Sequence, residues 1–358
     1  MDILKTLFPG LFTKRIFTGV LPDPRSAFEK AKDYLHEERV FPGTPNPFGN
    51  EQILVSPYPY INQLATSSCV PHAVTLALSI ERKALNGSFA LLSPMFPYRL
   101  RFNYANPGSA PTDMFYQCSK WGAPLASTLP TPQFEMQANA LVLTNDMYTE
   151  ANIFKGLKYF SLGTKNNIDT IAGIADTGRP VCITLFATED EYSRQYPVII
   201  EPKLTYAQAT IQHEVCVLPN SGFVKDGVKY IAVQDSAWFG GWKLRYLSEQ
   251  FVNLRVYGGG YWTEVKLLSV GPKIKYNFTQ NLSVGARSQE VKMMQVFLVS
   301  EGLLPTDCTT GYFGGITLAA VKAFQDKYVQ DILIPNGITV PTGYWGPSSR
   351  AKANQLCA

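Results

Sequence analysis

Residues 62–73 read Asn62-Gln63-Leu64-Ala65-Thr66-Ser67-Ser68-Cys69-Val70-Pro71-His72-Ala73, a polar loop that turns into an apolar, helix-like run from Ala73 to Ile80. Cys69 stands at the junction. A helix N-terminus carries partial positive charge and unpaired N–H groups, which favour the thiolate form of a cysteine placed there. Pro71 suits a first turn, where a missing N–H costs nothing. Gln63, six residues before Cys69, can bring a side-chain amide beside the sulfur as a donor to an oxyanion. A buried structural cysteine at a helix start is the plain alternative.

A thiolate nucleophile needs an imidazole to carry its proton and a third group to orient that imidazole. The chain has three histidines, His36, His72 and His213. His213 lies in the β-like run Ile211-Gln212-His213-Glu214-Val215-Cys216, and the next run, Tyr230 to Gln234, leads into Asp235-Ser236-Ala237-Trp238. His72 is one turn past Cys69 on the same helix, which suits packing better than proton transfer. Cys216, three residues past His213, falls on the opposite face of a strand and reads as core. Cys69, His213 and Asp235 therefore supply nucleophile, base and orienter in that order.

In this arrangement the sequence resembles the papain-like cysteine peptidases. Gln63 precedes Cys69 as that family's glutamine precedes its cysteine, and Asp235-Ser236-Ala237-Trp238 is similar to its Asn-Ser-Trp motif. Leu92-Ser93-Pro94-Met95-Phe96-Pro97-Tyr98, Trp121-Gly122-Ala123-Pro124 and Gly178-Arg179-Pro180-Val181 resemble further family segments in the same order. The resemblance covers about residues 51–265. Asp235 departs from the usual asparagine, Ser67-Ser68-Cys69-Val70 from the Gly-Ser-Cys-Trp core, and Thr66 stands where many relatives carry a disulfide cysteine. Phe239-Gly240-Gly241-Trp242 is a reduced form of the glycine-rich run after the third motif. The resemblance implies an α+β, two-lobed peptidase with a helical lobe and a β lobe. It casts Cys69, His213 and Asp235 as the triad and Gln63 as the oxyanion donor; Trp238 could shield the histidine–aspartate pair from water and is a candidate for substrate contact. No metal or cofactor is implied. A plain core tryptophan is the other reading of Trp238.

Length and composition bound the rest. At 358 residues, 46% hydrophobic and 17% charged, the chain has ample material for two or three globular units. A net charge of +4 permits attraction to an anionic surface and does not argue for nucleic acid. No apolar run reaches the roughly 18 residues of a membrane span. The start, Met1 to Val20, is too short and broken for a secretory signal. Six cysteines in this length do not make a disulfide scaffold.

Residues 1–50 read as an N-terminal extension, either a propeptide-like or docking segment or a stretch packed on the main domain. Within it Ser26 to Glu38 has the spacing of a short amphipathic helix. Residues 51–267 form the peptidase unit. Helices are expected over Cys69 to Asn86, Asp113 to Lys120 and Asn166 to Asp176, and residues 131–180 are otherwise weakly patterned. Strands are expected at Val181 to Phe186, Val198 to Ile200, Glu214 to Leu218, Tyr230 to Gln234, Trp242 to Tyr246 and Tyr261 to Leu267. Pro219 to Gly227 reads as a hairpin connection. Residues 268–282 read as a linker.

Residues 283–358 carry an internal echo. Thr310-Gly311-Tyr312-Phe313-Gly314 returns 32 residues later as Thr342-Gly343-Tyr344-Trp345-Gly346. Each unit is a glycine turn, an aromatic pair and a helix start. Val291, Met294, Gln295 and Leu298, then Gly311, Phe313, Gly314, Thr317, Ala320, Val321, Phe324 and Gln325, fit the pattern of peptidoglycan-binding three-helix domains. This resemblance covers about residues 280–358 and implies a small C-terminal α-helical module. Tyr312, Tyr344 and Trp345, at the turns, are the candidates for sugar or peptide contact. Cys308 and Cys357 could pair in an oxidising medium, or remain unrelated thiols.

Together these features point to a cysteine peptidase or amidase acting on peptide bonds at the bacterial cell wall. Its partner would be peptidoglycan or a wall-associated peptide, and its place extracellular or wall-associated. The lack of a recognisable signal suggests a phage lysin or virion-associated lysin, or export by another route. A non-catalytic wall-binding or virion structural protein on a retired peptidase fold is the alternative.

Overall fold

The computed structural model describes residues 20–21, 23, 25, 34–35, 46–59, 61–87, 89–104, 106–163, 166–188, 199–200, 211–237, 244–266, 273–304 and 308–358. His36, Trp238 and most of residues 1–45 lie outside that set.

The first described element is a short strand, β1 (Tyr34–Leu35). The helix expected over Ser26 to Glu38 is corrected here. Tyr34 and Leu35 pair in parallel with Phe160 and Ser161. An open sheet edge offers backbone partners that outweigh a short helical periodicity. The remainder of that span lies outside the described residues.

The helical lobe is built on α1 (Cys69–Asn86). Val70, Ala73, Val74, Ala77, Leu78 and Ile80 are buried at helical spacing, and Gly87 ends the helix in the left-handed region at φ 74°. Mid-helix hydroxyls bond back to carbonyls four residues earlier, Thr75 to Pro71 and Ser79 to Thr75. Three helices follow: α2 (Met95–Arg99), α3 (Pro111–Lys120) and α4 (Glu135–Asn139). Next come α5 (Asn145–Ala151), strand β2 (Gly156–Ser161) and α6 (Ile168–Asp176). Strand β2 occupies part of the weakly patterned stretch. Glycine is required at its first position, because a Cβ at Gly156 would meet the Trp262 ring at 2.0 Å.

The β lobe comprises β3 (Val181–Ala187), β4 (Ile199–Ile200), β5 (Ile211–Lys225), β6 (Val228–Gln234), β7 (Leu244–Ser248), α7 (Glu249–Arg255) and β8 (Val256–Val265). Among the described residues eight strands join one sheet in the order β1-β2-β8-β3-β5-β6-β7-β4. The connection expected over Pro219 to Gly227 is mostly strand. β5 runs through to Lys225, and the turn is Asp226-Gly227, both at positive φ. Pro219 sits where the register shifts between Val217 and Gly222, a bulge that needs no N–H from it.

The sheet buries both faces. One side carries Cys182, Cys216, Ala232 and Tyr246 in a cluster with α1 and α3. The other carries Ile183, Val215, Val217 and Val233 with residues of α6 and α7. The expectation that Cys216 is core and opposed to His213 matches this alternation.

The C-terminal stretch holds α8 (Gln289–Ser300), α9 (Gly315–Lys327), α10 (Val329–Ile332) and α11 (Pro347–Cys357). The echo is structural. Gln295 donates from Nε2 to the Tyr312 carbonyl and accepts at Oε1 from Gly311 N–H, both at 2.8 Å. Gln325 does the same with Tyr344 and Gly343, again at 2.8 Å. No bond joins Cys308 to Cys357: the buried Cys357 remains a thiol, its pKa raised by burial.

Candidate active site

The loop before α1 is pinned at successive backbone groups. Gln63 N–H donates to the Ser236 carbonyl at 3.0 Å, Ala65 N–H to the Gln133 carbonyl at 3.1 Å, and Ser67 N–H to Glu135 Oε2 at 2.7 Å. Leu64 sits at φ 55°, a strained conformation that the surrounding bonds hold in place. The result places Cys69 as the first residue of α1, fully buried.

Register puts three side chains on one sheet face. Cys216 pairs with Gln234 and Val233 with Arg245. Counting along the strands, His213 on β5, Asp235 just past β6 and Arg245 on β7 therefore share a face, each pair on a diagonal. His213 Nε2 meets Asp235 Oδ1 at 2.7 Å. Arg245 Nε donates to Asp235 Oδ2 at 2.9 Å. Ala237 N–H adds a bond to Oδ1 at 2.8 Å. All three side chains are 0–1% exposed.

The electrostatics follow from this geometry. Burial disfavours a charged His213, but the charge and hydrogen bond of Asp235, then those of Cys69, outweigh it and raise its pKa to about 10. Burial likewise works against an ionised Asp235, yet His213 and Arg245 bring its pKa down to about 2. Nε2 is engaged by the carboxylate, so Nδ1 is the ring nitrogen left to exchange a proton with the Cys69 thiol. The arrangement can hold a thiolate–imidazolium pair and deliver a proton to a leaving group.

Gln63 is buried with its amide orientation set from both ends. Nε2 donates to the Thr66 carbonyl at 3.0 Å, and Oε1 accepts from the Ser236 hydroxyl at 2.9 Å. One amide N–H is thus spent inside the loop and a second remains for a ligand. His72 stands apart from this chemistry. Its Nδ1 donates to the Ser68 carbonyl at 2.6 Å, and burial, with His213's charge, drops its pKa to about 4.

The other sequence candidates separate. Trp238 lies outside the described residues. Tyr312 and Tyr344 are 37% and 46% exposed. Trp345 is corrected: it is fully buried, packed against Phe278, Phe297 and Phe324. It occupies the place in its turn that Phe313, also fully buried, occupies in the first. Sequence reasoning passed over Arg245 and the Ser236 hydroxyl. The available signal for Arg245 was a lone charge inside the apolar run Leu244 to Leu247.

No family model and no curated protein matches the sequence. Solved structures do match the fold. The crystal structure of xylellain, a cysteine protease from Xylella fastidiosa, superposes with a TM-score of 0.56 at 13% identity, covering 71% of this chain and 98% of that one. Digestive procathepsin L2 proteinase from Tenebrio molitor larval midgut gives 0.52 at 16% identity, covering 72% and 82%. The chain thus has a papain-like α+β fold.

Proposed function

We propose that the chain is a cysteine peptidase or amidase that cleaves peptide bonds at the bacterial cell wall, positioned there by residues 283–358. The observation that carries the peptidase reading is His213 held between Asp235, at 2.7 Å, and the thiol at the start of α1. Cys69 thiolate attacks the scissile carbonyl. His213 gives its proton to the leaving amine and then takes one from the water that releases the acyl group. Asp235 fixes the ring, and the second Gln63 amide N–H with the Cys69 backbone N–H steadies the oxyanion. The wall reading is supported by the doubled glycine-turn module and the exposure of Tyr312 and Tyr344. A phage or virion-associated source would suit such a pairing of units.

The complete burial of Cys69 favours a second reading, a retired peptidase fold that binds the wall without cutting it. Labelling with an epoxysuccinyl thiol inhibitor decides between them. Modification at Cys69, together with new termini in digested walls detected by mass spectrometry, supports the enzyme. No Cys69 adduct and no wall cleavage by the folded chain support the retired fold.

A further inference from the structure

We propose that Arg245 is a positioning residue of this site, one that clamps the Asp235 carboxylate against His213 and balances its charge. The inference rests on the peptidase reading for its catalytic consequence, although its first readout does not need turnover.

A fully buried carboxylate is costly unless it is both hydrogen-bonded and neutralised. Among the described residues Asp235 receives three donors, and they divide by oxygen. Oδ1 takes His213 and Ala237; Oδ2 takes Arg245. With Oδ2 anchored on one neighbouring strand, the carboxylate plane is set for Oδ1 to meet the ring on the other. The three side chains form a row across β5, β6 and β7, built by a register in which Val233 opposes Arg245.

The charge count gives the clamp its second role. Without Arg245 the buried group of thiolate, imidazolium and carboxylate carries one net negative charge. With the guanidinium it is neutral in the ion-pair state, so long as the other titratable groups beside His213 are uncharged: His72 is so above about pH 4 and Glu214 below about pH 8, in every variant alike. Asp235 and Arg245 act on the ring with opposite signs: the carboxylate favours imidazolium and the guanidinium opposes it. Removing either charge should therefore move the His213 titration in opposite directions, which a merely structural contact would not do.

The test titrates the His213 ring by NMR in the full chain, with the three histidines assigned by single substitution. It uses Asp235→Asn, Arg245→Gln, Arg245→Lys and the Asp235→Asn, Arg245→Gln double variant. Asp235→Asn should lower the His213 midpoint. Adding Arg245→Gln to it should raise the midpoint again by on the order of one pH unit. Arg245→Lys should keep the native midpoint with reduced kcat and little change in KM. The alkaline limb of kcat/KM should follow the same order. A midpoint indifferent to Arg245→Gln in both backgrounds overturns the proposal, as does a shift in the same direction as Asp235→Asn. Should Arg245→Gln fail to fold, the double variant must fold better than it does; if it does not, Arg245 is only a structural support and the proposal falls. An inert Cys69 would remove the peptidase reading while leaving these titrations to stand or fall separately.

Discussion

Gln63 and Ser236 exchange two hydrogen bonds: Gln63 N–H donates to the Ser236 carbonyl at 3.0 Å, and the Ser236 hydroxyl donates to Gln63 Oε1 at 2.9 Å. The residue beside Asp235 thereby fixes the amide that faces the thiol loop. One link joins two parts of the site that lie more than 170 positions apart in the chain.

Ser236→Ala should leave Gln63 Oε1 buried without its donor. That costs about 1–3 kcal/mol of stability. Freed to turn, the amide should serve an oxyanion less well, so kcat should drop about tenfold or more with KM little changed. Denaturant titration and steady-state kinetics check both. Unaltered kcat would detach Gln63 from the oxyanion role.

The His213–Asp235 pair predicts a stability profile. His213 binds its proton more tightly in the folded chain, about 10 against 6.5. Its contribution is full below pH 6.5 and drains away as pH rises toward 10. Asp235 loses its proton more readily when folded, about 2 against 3.8. Its contribution is full above pH 3.8 and is lost as pH falls through 2. Together they favour the folded chain most between roughly pH 4 and 6.5. Asp235→Asn should flatten the alkaline decline and pull the alkaline limb of activity to lower pH. Asp235→Ala should lose more activity, because the ring then has no orienter. Urea midpoints across the pH range and kcat/KM profiles supply the check; unchanged profiles would require another partner for His213.

Glu214, next to His213 but on the sheet face toward α1, titrates the opposite way for a carboxyl. Burial raises its pKa from 4.5 to about 8, against the Thr184 hydrogen bond and His213's charge. It too holds its proton more tightly when folded, so its contribution is full below pH 4.5 and lost as pH rises through 8. Glu214→Gln still accepts from the Thr184 hydroxyl and cannot ionise. It should be more stable than the native chain at pH 8–9 by about 1 kcal/mol or more. Equal stability there would mean that the side chain reaches solvent as it ionises.

Trp345 and Tyr344 are adjacent in sequence and should behave differently. Trp345→Ala should cost about 3–5 kcal/mol and unfold the C-terminal module. Tyr344→Ala should leave it folded, since the ring is half exposed, and weaken co-sedimentation with purified walls. Circular dichroism and wall sedimentation of the two variants test this. Native wall binding by Tyr344→Ala, with Tyr312 also replaced, would remove the turns from the binding surface.

The parts of the fold written in local periodicity were legible. α1 spans the residues its apolar spacing indicated, with the glycine at its end. β3, β6 and α6 fall within one or two residues of expectation. What escaped was non-local. β1 exists because β2 leaves an edge to pair with, a fact absent from Tyr34 and its neighbours. Arg245 earns its place only when β7 is laid beside β6 in a particular register. Trp345 aligns within its repeat with Phe313, and both are fully buried, so the second aromatic of each turn is the one that enters the core.

The two glutamine latches have a consequence for how the C-terminal module can change. Gln295 closes on Gly311 and Tyr312, while Gln325 closes on Gly343 and Tyr344, and neither latch crosses the other. The spans differ, 16 positions from Gln295 to Gly311 and 18 from Gln325 to Gly343, yet the bonds are the same. Each turn is thus separately latched. A change at an exposed position of one turn leaves the glutamine bonds of the other in place, while Phe313 and Trp345 still tie both turns to one core.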